Sequence, residues 1–284
     1  MVTLREIRRR LRSVENIKQI TKTMEMVAAA RLRKAQAKAE QARPYAEGIK
    51  GILENLSDSS LTHPLFEQRE VKKTGLVVVS GDRGLCGAYN SHIFSAADKF
   101  LKERPKDSVE LILLGSKAVD YYQNKKWPIR YSFTHWGGKI TLSQIKSLAE
   151  QLEVWFLEEE LDEIWLIYTH YISLLSRTVI VEKFLNISEP KHEKKSDLLL
   201  DYIFEPTPEE IYAEILPHYC LTKIQNALAE AYASELAARF IAMGAATKNA
   251  EEMIVDLTMV RNKVRQAGIT KEMLEIISGA ERVS

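Results

Sequence analysis

LREIRRRLRSVENIKQITKTMEMVAAARLRKA, residues Leu4 to Ala35, carries apolar side chains at every third or fourth position and charge over most of the remainder. Leu4, Ile7, Leu11, Val14, Ile17, Ile20, Met24 and Val27 keep that rhythm, followed by Leu32, Ala35, Ala39 and Ala42. The spacing predicts a helix from about Leu4 to about Leu56 with one narrow apolar seam, close to the a/d pattern of a coiled coil. A second tract of this kind is expected from about Pro208 to about Gly279. Its seam begins at Leu221, Ile224, Leu228 and Ala231 and resumes at Met253, Leu257, Val260, Val264 and Ala267. Between them the residues turn small: Ala237, Ala238, Ala242, Gly244, Ala245 and Ala246. At ~1.5 Å per residue an unbroken helix of that length spans roughly 110 Å, whereas helices of globular domains usually last about three or four turns. Small residues let helices approach closely, and Ala28-Ala29-Ala30 offers a matching surface. The two tracts are therefore expected to pair as an antiparallel coiled coil, the design of a lever, a spacer or a shaft. Two separate amphipathic helices lying on one domain are the alternative.

Between the tracts the pattern changes. Ser57-Asp58-Ser59-Ser60 and His63-Pro64 end the first helix and open a linker. Thr74 to Ser80 is a short apolar run, typical of a strand buried on both faces. A glycine-bearing loop follows, then a helix over about Asn90–Glu103, a strand at Val109–Leu114, a helix at Ser116–Gln123 and a strand at Ile129–Phe133. A helix over about Leu142–Glu159 precedes strands at Ile164–His170 and Thr178–Ile187. The alternation predicts a parallel α/β sheet of Rossmann-like type, and the last two strands are close enough for a hairpin. Polar Ser188–Asp197 leads to an extended piece at Asp201–Glu205. Thr207 as N-cap, Pro208 at the first helical position and Glu210 closing a capping box open the second tract, and Pro217 is expected to kink or interrupt it. The expected segments are a coiled-coil helix over 1–57, an α/β domain over 72–206 and a second coiled-coil helix over 207–284.

Charge is unevenly placed. The net charge is +1, yet residues 1–43 hold 12 Lys/Arg against 4 Asp/Glu, so a local +8 is balanced by −7 elsewhere. An acidic partner is implied for the first helix, either nucleic acid or an acidic protein surface. No aromatic residue interleaves these basic residues, and no nucleic-acid recognition module appears. No apolar run approaches the ~20 residues of a membrane span, and the N-terminus lacks a signal-peptide core. Cys86 and Cys220 are too few and too far apart for a zinc site or a disulfide framework, and the six histidines are scattered. Metal ligation and metal catalysis have no support in the pattern.

Gly81-Asp82-Arg83-Gly84-Leu85-Cys86-Gly87 follows a strand and precedes a helix, which invites a cofactor reading. The spacing is GxxGxxG, not the GxGxxG that brings a backbone against pyrophosphate, and no P-loop lysine follows. A tight, partly exposed loop needing positive φ at its glycines is the simpler reading. No nucleophile elbow, triad or paired carboxylates emerge. The chain is expected not to be an enzyme by itself and to need no cofactor.

Particular strings carry a resemblance. Leu4-Arg5-Glu6-Ile7 with Ser13-Val14, then Gln19-Ile20-Thr21-Lys22 through Met24-Glu25-Met26-Val27-Ala28-Ala29, resembles the first helix of γ subunits of F-type ATP synthases. Ser80 to Gly87 looks like that family's central-domain loop. The run from Asp256-Leu257-Thr258 through Asn262-Lys263-Val264-Arg265-Gln266-Ala267-Gly268-Ile269-Thr270-Lys271-Glu272 to Glu275-Ile276-Ile277-Ser278-Gly279-Ala280 is the most specific match. The similarity covers essentially the whole chain.

The resemblance implies a fold and a role. The fold is a central α/β Rossmann-like domain plus a long antiparallel coiled coil formed by the N- and C-terminal helices. The role is the central rotor shaft of ATP synthase, coupling proton-driven rotation of the c ring to ATP synthesis at the β-subunit catalytic sites, and the reverse in hydrolysis. Implied partners are the α and β subunits of an α3β3 ring, the ε subunit and the c-subunit ring. Membrane association would be indirect, at the cytoplasmic face of a bacterial inner membrane, with no nucleic acid. The family's β contacts are implied at Lys22, Met24, Cys86, Arg265 and Gln266, and its c-ring and ε contacts at Phe204 and Glu205. Tyrosine is commoner where Phe204 stands, and Lys271 and Glu281-Arg282 depart from the family's usual ending. Without the resemblance, a free-standing coiled-coil scaffold with an α/β binding domain and a basic phosphate- or nucleic-acid-binding protein stay open.

Overall fold

A computed structural model describes residues 3–56, 64–67, 69–137, 140–187 and 208–281. It contains α1 (Leu4–Leu56), β1 (Thr74–Val79), α2 (Tyr89–Lys102), β2 (Val109–Leu114), α3 (Ser116–Gln123), β3 (Ile129–Phe133), α4 (Leu142–Leu157), β4 (Glu163–Tyr171), β5 (Arg177–Leu185) and α5 (Pro208–Glu281). Two compact units result: residues 30–238, and residues 1–29 with 239–284.

In the first unit the strands form one sheet in the order β3-β2-β1-β4-β5. β1 pairs in parallel with β2 and β4, β3 runs parallel to β2, and β5 returns antiparallel along β4. The expected hairpin is present. Central β1 is buried along its whole length, which explains its unbroken apolar run. Successive residues point to opposite faces, so the strands feed two cores. Leu76, Val78, Leu111 and Leu113 pack with α2 and α3, around Ile93, Ala97, Phe100, Ala118 and Tyr122. Val77, Val79, Ile112 and Leu114 meet α4 through Leu148, Leu152 and Phe156. Burying side chains of this size contributes ~1.5–3 kcal/mol each.

Part of α5 belongs to this second core. Leu216, Cys220, Ile224, Leu228 and Ala231 are buried there beside α4. Further along, Ala233, Leu236 and Ala237 pack on Leu32 and Ala35 of α1, where Gln36 Nε2 donates to the Tyr171 hydroxyl at 2.5 Å. Pro208 opens α5 as expected, while Thr207 lies outside the described residues. At Pro217 the expected interruption does not occur, and the helix runs through it. Proline removes one donor to the carbonyl of Ala213. Both residues are exposed, so water can take that carbonyl, while Leu216 and Cys220 hold the opposite side in the core.

One ionisable pair ties α4 to α5. Burial and the nearby charge of Glu150 push the Glu153 carboxyl up to about 7, against a hydrogen bond from the buried Cys220 thiol that pulls it down. Glu153 therefore binds its proton more tightly folded than unfolded. Between its ordinary value of 4.5 and about 7, the folded chain keeps a proton the unfolded chain has lost, so stability falls as pH rises through that window. Water reaches part of the group, which limits the effect to about 1–2 kcal/mol. Glu153→Gln is expected to flatten this slope and raise the midpoint of thermal unfolding at pH 8, with no gain at pH 4. A parallel slope in both proteins would refute it.

Candidate interaction surfaces

The described residues of the second unit, 3–29 and 239–281, form a helix pair. Lys18 Nζ lies 3.0 Å from Glu251 Oε1, and the Thr247 hydroxyl donates to Thr21 Oγ1 at 2.8 Å. Gly244 lies level with Glu25, where an added Cβ would stand 3.7 Å from the carboxyl carbon. Numbers rise on one helix as they fall on the other, so the pair is antiparallel, as expected.

Its seam departs from the expected one. The covered row is Leu4, Ile7, Leu11, Val14, Lys18, Thr21, Glu25 and Ala28, an unbroken alternation of threes and fours. Ile17, Ile20, Met24 and Val27, expected inside, are 51%, 56%, 37% and 44% exposed. On α5 the covered row is Met243, Thr247, Ala250, Ile254, Leu257, Arg261 and Val264, while Met253 and Val260 lie outside at 52% and 46%. The apolar residues step by three twice in succession, from 14 to 17 to 20, which swings their line around the helix. The inner row instead uses a glycine, alanines and a threonine pair, which permit close approach. The displaced row is an outward apolar stripe that nothing on the pair itself covers.

Arg5, Arg9 and Arg12 line one open hollow with Asn16 and make no ion pair among the described residues. Lys22 is exposed and held to Glu25 Oε2 at 3.2 Å. Arg265 and Gln266 are both exposed, and by the Lys18–Glu251 register they stand level with the start of α1. Beyond them no helix lies beside α5 among the described residues, and Ile269, Met273, Leu274, Ile276 and Ile277 are each at least 50% exposed.

In the other unit the Gly81–Gly87 loop is organised by Asp82. Its Oδ1 accepts from Ser116 N (3.0 Å), Ser116 Oγ (3.0 Å) and His135 N (2.8 Å), and its Oδ2 accepts from Gly137 N at 2.8 Å. Burial by itself would raise this carboxyl, but the hydrogen bonds from Ser116, Gly137 and His135 outweigh it and hold it below the ordinary 3.8. The expectation of positive φ at the loop's glycines holds only for Gly87 (58°), the second such residue being Leu85 (61°). Gly81 is needed for space instead: an added Cβ would lie 3.0 Å from the Glu235 carboxyl of α5. Cys86 points inward and is buried, its thiol accepting from Asn90 Nδ2 at 3.4 Å. The loop's exposed large side chains are Arg83 and Leu85, the latter 62% exposed. A leucine in the left-handed region is strained and persists only because the surrounding loop holds it there. Phe204 and Glu205 lie outside the described residues.

The family model described as ATP synthase matches residues 3–283. The ATP synthase gamma chain of Protochlamydia amoebophila is 60% identical over 285 residues, covering 99% of both chains. The chain belongs to the ATP synthase gamma-chain family. A gamma chain from Moorella thermoacetica is 42% identical, again over 99% of each. Among solved structures, a chain of the central stalk and c ring of the Tetrahymena thermophila mitochondrial ATP synthase matches with a TM-score of 0.62 and 25% identity. That match covers 80% of this chain and 99% of the other. A chain of the Euglena gracilis mitochondrial ATP synthase shares the fold at a TM-score of 0.73 and 20% identity, over 99% of this chain and 94% of its own. Gamma-chain membership makes this chain a subunit of an ATP synthase. Among the described residues no helix is long and apolar enough to cross a membrane.

Proposed function

We propose that this chain is the rotor shaft of an F-type ATP synthase. It turns with a c ring driven by protons and imposes successive conformations on the β subunits of an α3β3 ring, in synthesis and, reversed, in hydrolysis. It performs no chemistry itself. Its place is the cytoplasmic face of a bacterial inner membrane, held there through the c ring and the ε subunit.

The observation that carries this reading is the bare end of α5. A helix with five large apolar side chains exposed, and no helix alongside among the described residues, suits a surrounding apolar sleeve, not water. The outward row at Ile17, Ile20, Met24 and Val27 and the exposed Arg5, Arg9 and Arg12 offer a rotating face both grease and positive charge. Exposed contacts of the latter kind are worth ~0.2–1 kcal/mol each, weak enough that no angular position becomes a trap. Three equivalent sites are biased differently because an asymmetric pair presents each with a different face.

Within this reading Lys22, Met24, Arg265 and Gln266 meet β loops. Cys86 acts there by setting the loop that presents Arg83 and Leu85, and Phe204 and Glu205 meet the c ring and ε. Co-expression of the full chain with α and β subunits from the same source is the test. An assembly of three α, three β and one copy of this chain, with cooperative ATP hydrolysis that needs it, is the expected result. Arg265→Ala with Gln266→Ala, combined with truncation after Gly268, is expected to lower coupled synthesis about tenfold, ~1.4 kcal/mol. Assembly and coupling untouched by that variant would place the β contacts elsewhere.

A further inference from the structure

Residues 30–238 contain a cavity of about 390 Å³ that none of the surfaces above uses. Its lining comes from four segments: α1, the turn after β3, the beginning of α4 and the first third of α5. Trp136 and Tyr232 supply aromatic walls with ring centroids 6.1 Å apart. Buried Ile145 and Leu228 supply apolar surface. Arg31 and Lys34, three residues apart on α1 and both exposed, bring two positive charges to the same cavity. Among the described residues neither has a carboxylate partner, and no acidic side chain lines the space.

The aromatic wall is set in place before any ligand arrives. His135 and Gly137 both take positive φ, at 62° and 38°, and Asp82 accepts from both of their N–H groups. Trp136 sits between them, 3% exposed, and among the described residues its indole N–H has no hydrogen-bond partner. A conformation of this kind persists only where the surroundings hold it, and it recurs where proteins clamp ligands. The Asp82 motif, which the shaft reading leaves without a task beyond the fold, here positions one wall of a cavity.

Volume, wall chemistry and charge together select a ligand class. The space falls within the ~300–1,000 Å³ range of small-molecule sites, which are mostly apolar with a few placed polar groups. Two free cations reject a cationic ligand and leave an anion paired. Gln225 and Asn226 add two amides to a lining that is otherwise mostly apolar, a balance that suits one acid group on an apolar body better than a polyphosphate. We propose that this cavity binds a small amphiphilic monoanion, its aromatic or short aliphatic body lodged beside Trp136 and Tyr232 and its acid group against Arg31 and Lys34. Such a ligand bridges α1, the β3–α4 turn and α5, and so stabilises the unit by mass action.

The test titrates the full chain with 1-anilinonaphthalene-8-sulfonate, an aromatic sulfonate, reading probe emission and energy transfer from tryptophan. One saturable site is expected. Arg31→Gln with Lys34→Gln, and separately Ala229→Phe, which fills the cavity, are each expected to weaken binding at least about tenfold. Ile276→Ser with Ile277→Ser, on the bare end of α5, is expected to leave it unchanged. The uncharged N-phenyl-1-naphthylamine is expected to bind at least about tenfold more weakly than the sulfonate. Binding that follows the α5-end variant instead, or that ignores loss of the two charges, overturns the proposal, as does equal affinity for the uncharged probe. If Ala229→Phe alters the circular dichroism of the chain, the two-charge variant decides, since both of its residues are exposed.

Discussion

Asp82→Ala is expected to destabilise the sheet-containing unit by about 3 kcal/mol, lowering its unfolding midpoint by roughly 6–12 °C. The reason lies at α3. Its N-cap residue is Gly115, which has no side chain to accept from the first turn. That work falls to the end of β1: Ser80 Oγ accepts from Ala118 N at 2.9 Å, and Asp82 accepts from Ser116 N. The same carboxylate holds His135 and Gly137 on the far side of β3. One substitution therefore orphans three backbone donors and releases a turn with two positive-φ residues. Hydrogen bonds to a charged acceptor are worth ~1.5–3 kcal/mol each, but donors freed near the surface recover water, which brings the sum down. Asp82→Asn, with one acceptor oxygen in place of two, is expected to fall between the wild type and Asp82→Ala. The pH dependence has a definite sign. The folded-state value lies below the unfolded 3.8, so the contribution is complete above that value and disappears as pH falls through the folded one. Thermal unfolding at pH 7 and pH 3 checks both statements; an unchanged midpoint at pH 7 would remove Asp82 from this role.

Much of the fold was legible because its signals are local. A continuous apolar run such as Leu76–Val79 suits a strand covered on both faces, and the structure has that strand at those residues. The order of strand and helix predicted parallel pairing, and the short link before Arg177 predicted the antiparallel return. What was not legible depends on partners far away in sequence. Asp82 has its partners 34 to 55 residues downstream, where no spacing rule reaches. Cys86 reads as a loop residue, yet Asn90 and the α2 core draw it inward. The helix pair is the sharper case. Counting apolar residues follows hydrophobicity, but the seam follows the axis of closest approach. Where Thr21 meets Thr247 and Gly244 passes Glu25, small and polar groups win that axis. The apolar line is then free to face outward, and the step of three from Val14 to Ile17 is the sign that it leaves the interface.

That displacement sets up the second large effect, because the two possible seams predict opposite outcomes for two sets of substitutions. Leu11→Asp with Val14→Asp places two carboxylates on the covered row. Loss of each buried aliphatic side chain costs ~2–5 kcal/mol before any charge is counted, and an unpaired carboxylate between helices adds to it. The pair of residues 3–29 and 239–281 is expected to open, and reconstituted complexes are expected to hydrolyse ATP while synthesis driven by a proton gradient falls about 100-fold or more, ~2.7 kcal/mol in the coupled step. Ile17→Ser with Ile20→Ser changes only the outward row. It is expected to leave the helix content and the unfolding midpoint of the free chain within about 0.5 kcal/mol of wild type, and to weaken assembly with α and β subunits instead. If the Ile17 and Ile20 variant unfolds the pair while the Leu11 and Val14 variant does not, the seam runs along the apolar stripe and the outward face has no docking role. Circular dichroism of the free chains separates the two cases before any complex is assembled. The threonine layer adds a polar contact at one level of the pair: Thr21 and Thr247 each also bond a carbonyl of their own helix, at Lys18 and Met243, so their mutual hydrogen bond favours the observed alignment by the net worth of one such bond, ~0.5–1.5 kcal/mol. A rotor that transmits torque needs that fixed alignment more than it needs a stickier seam.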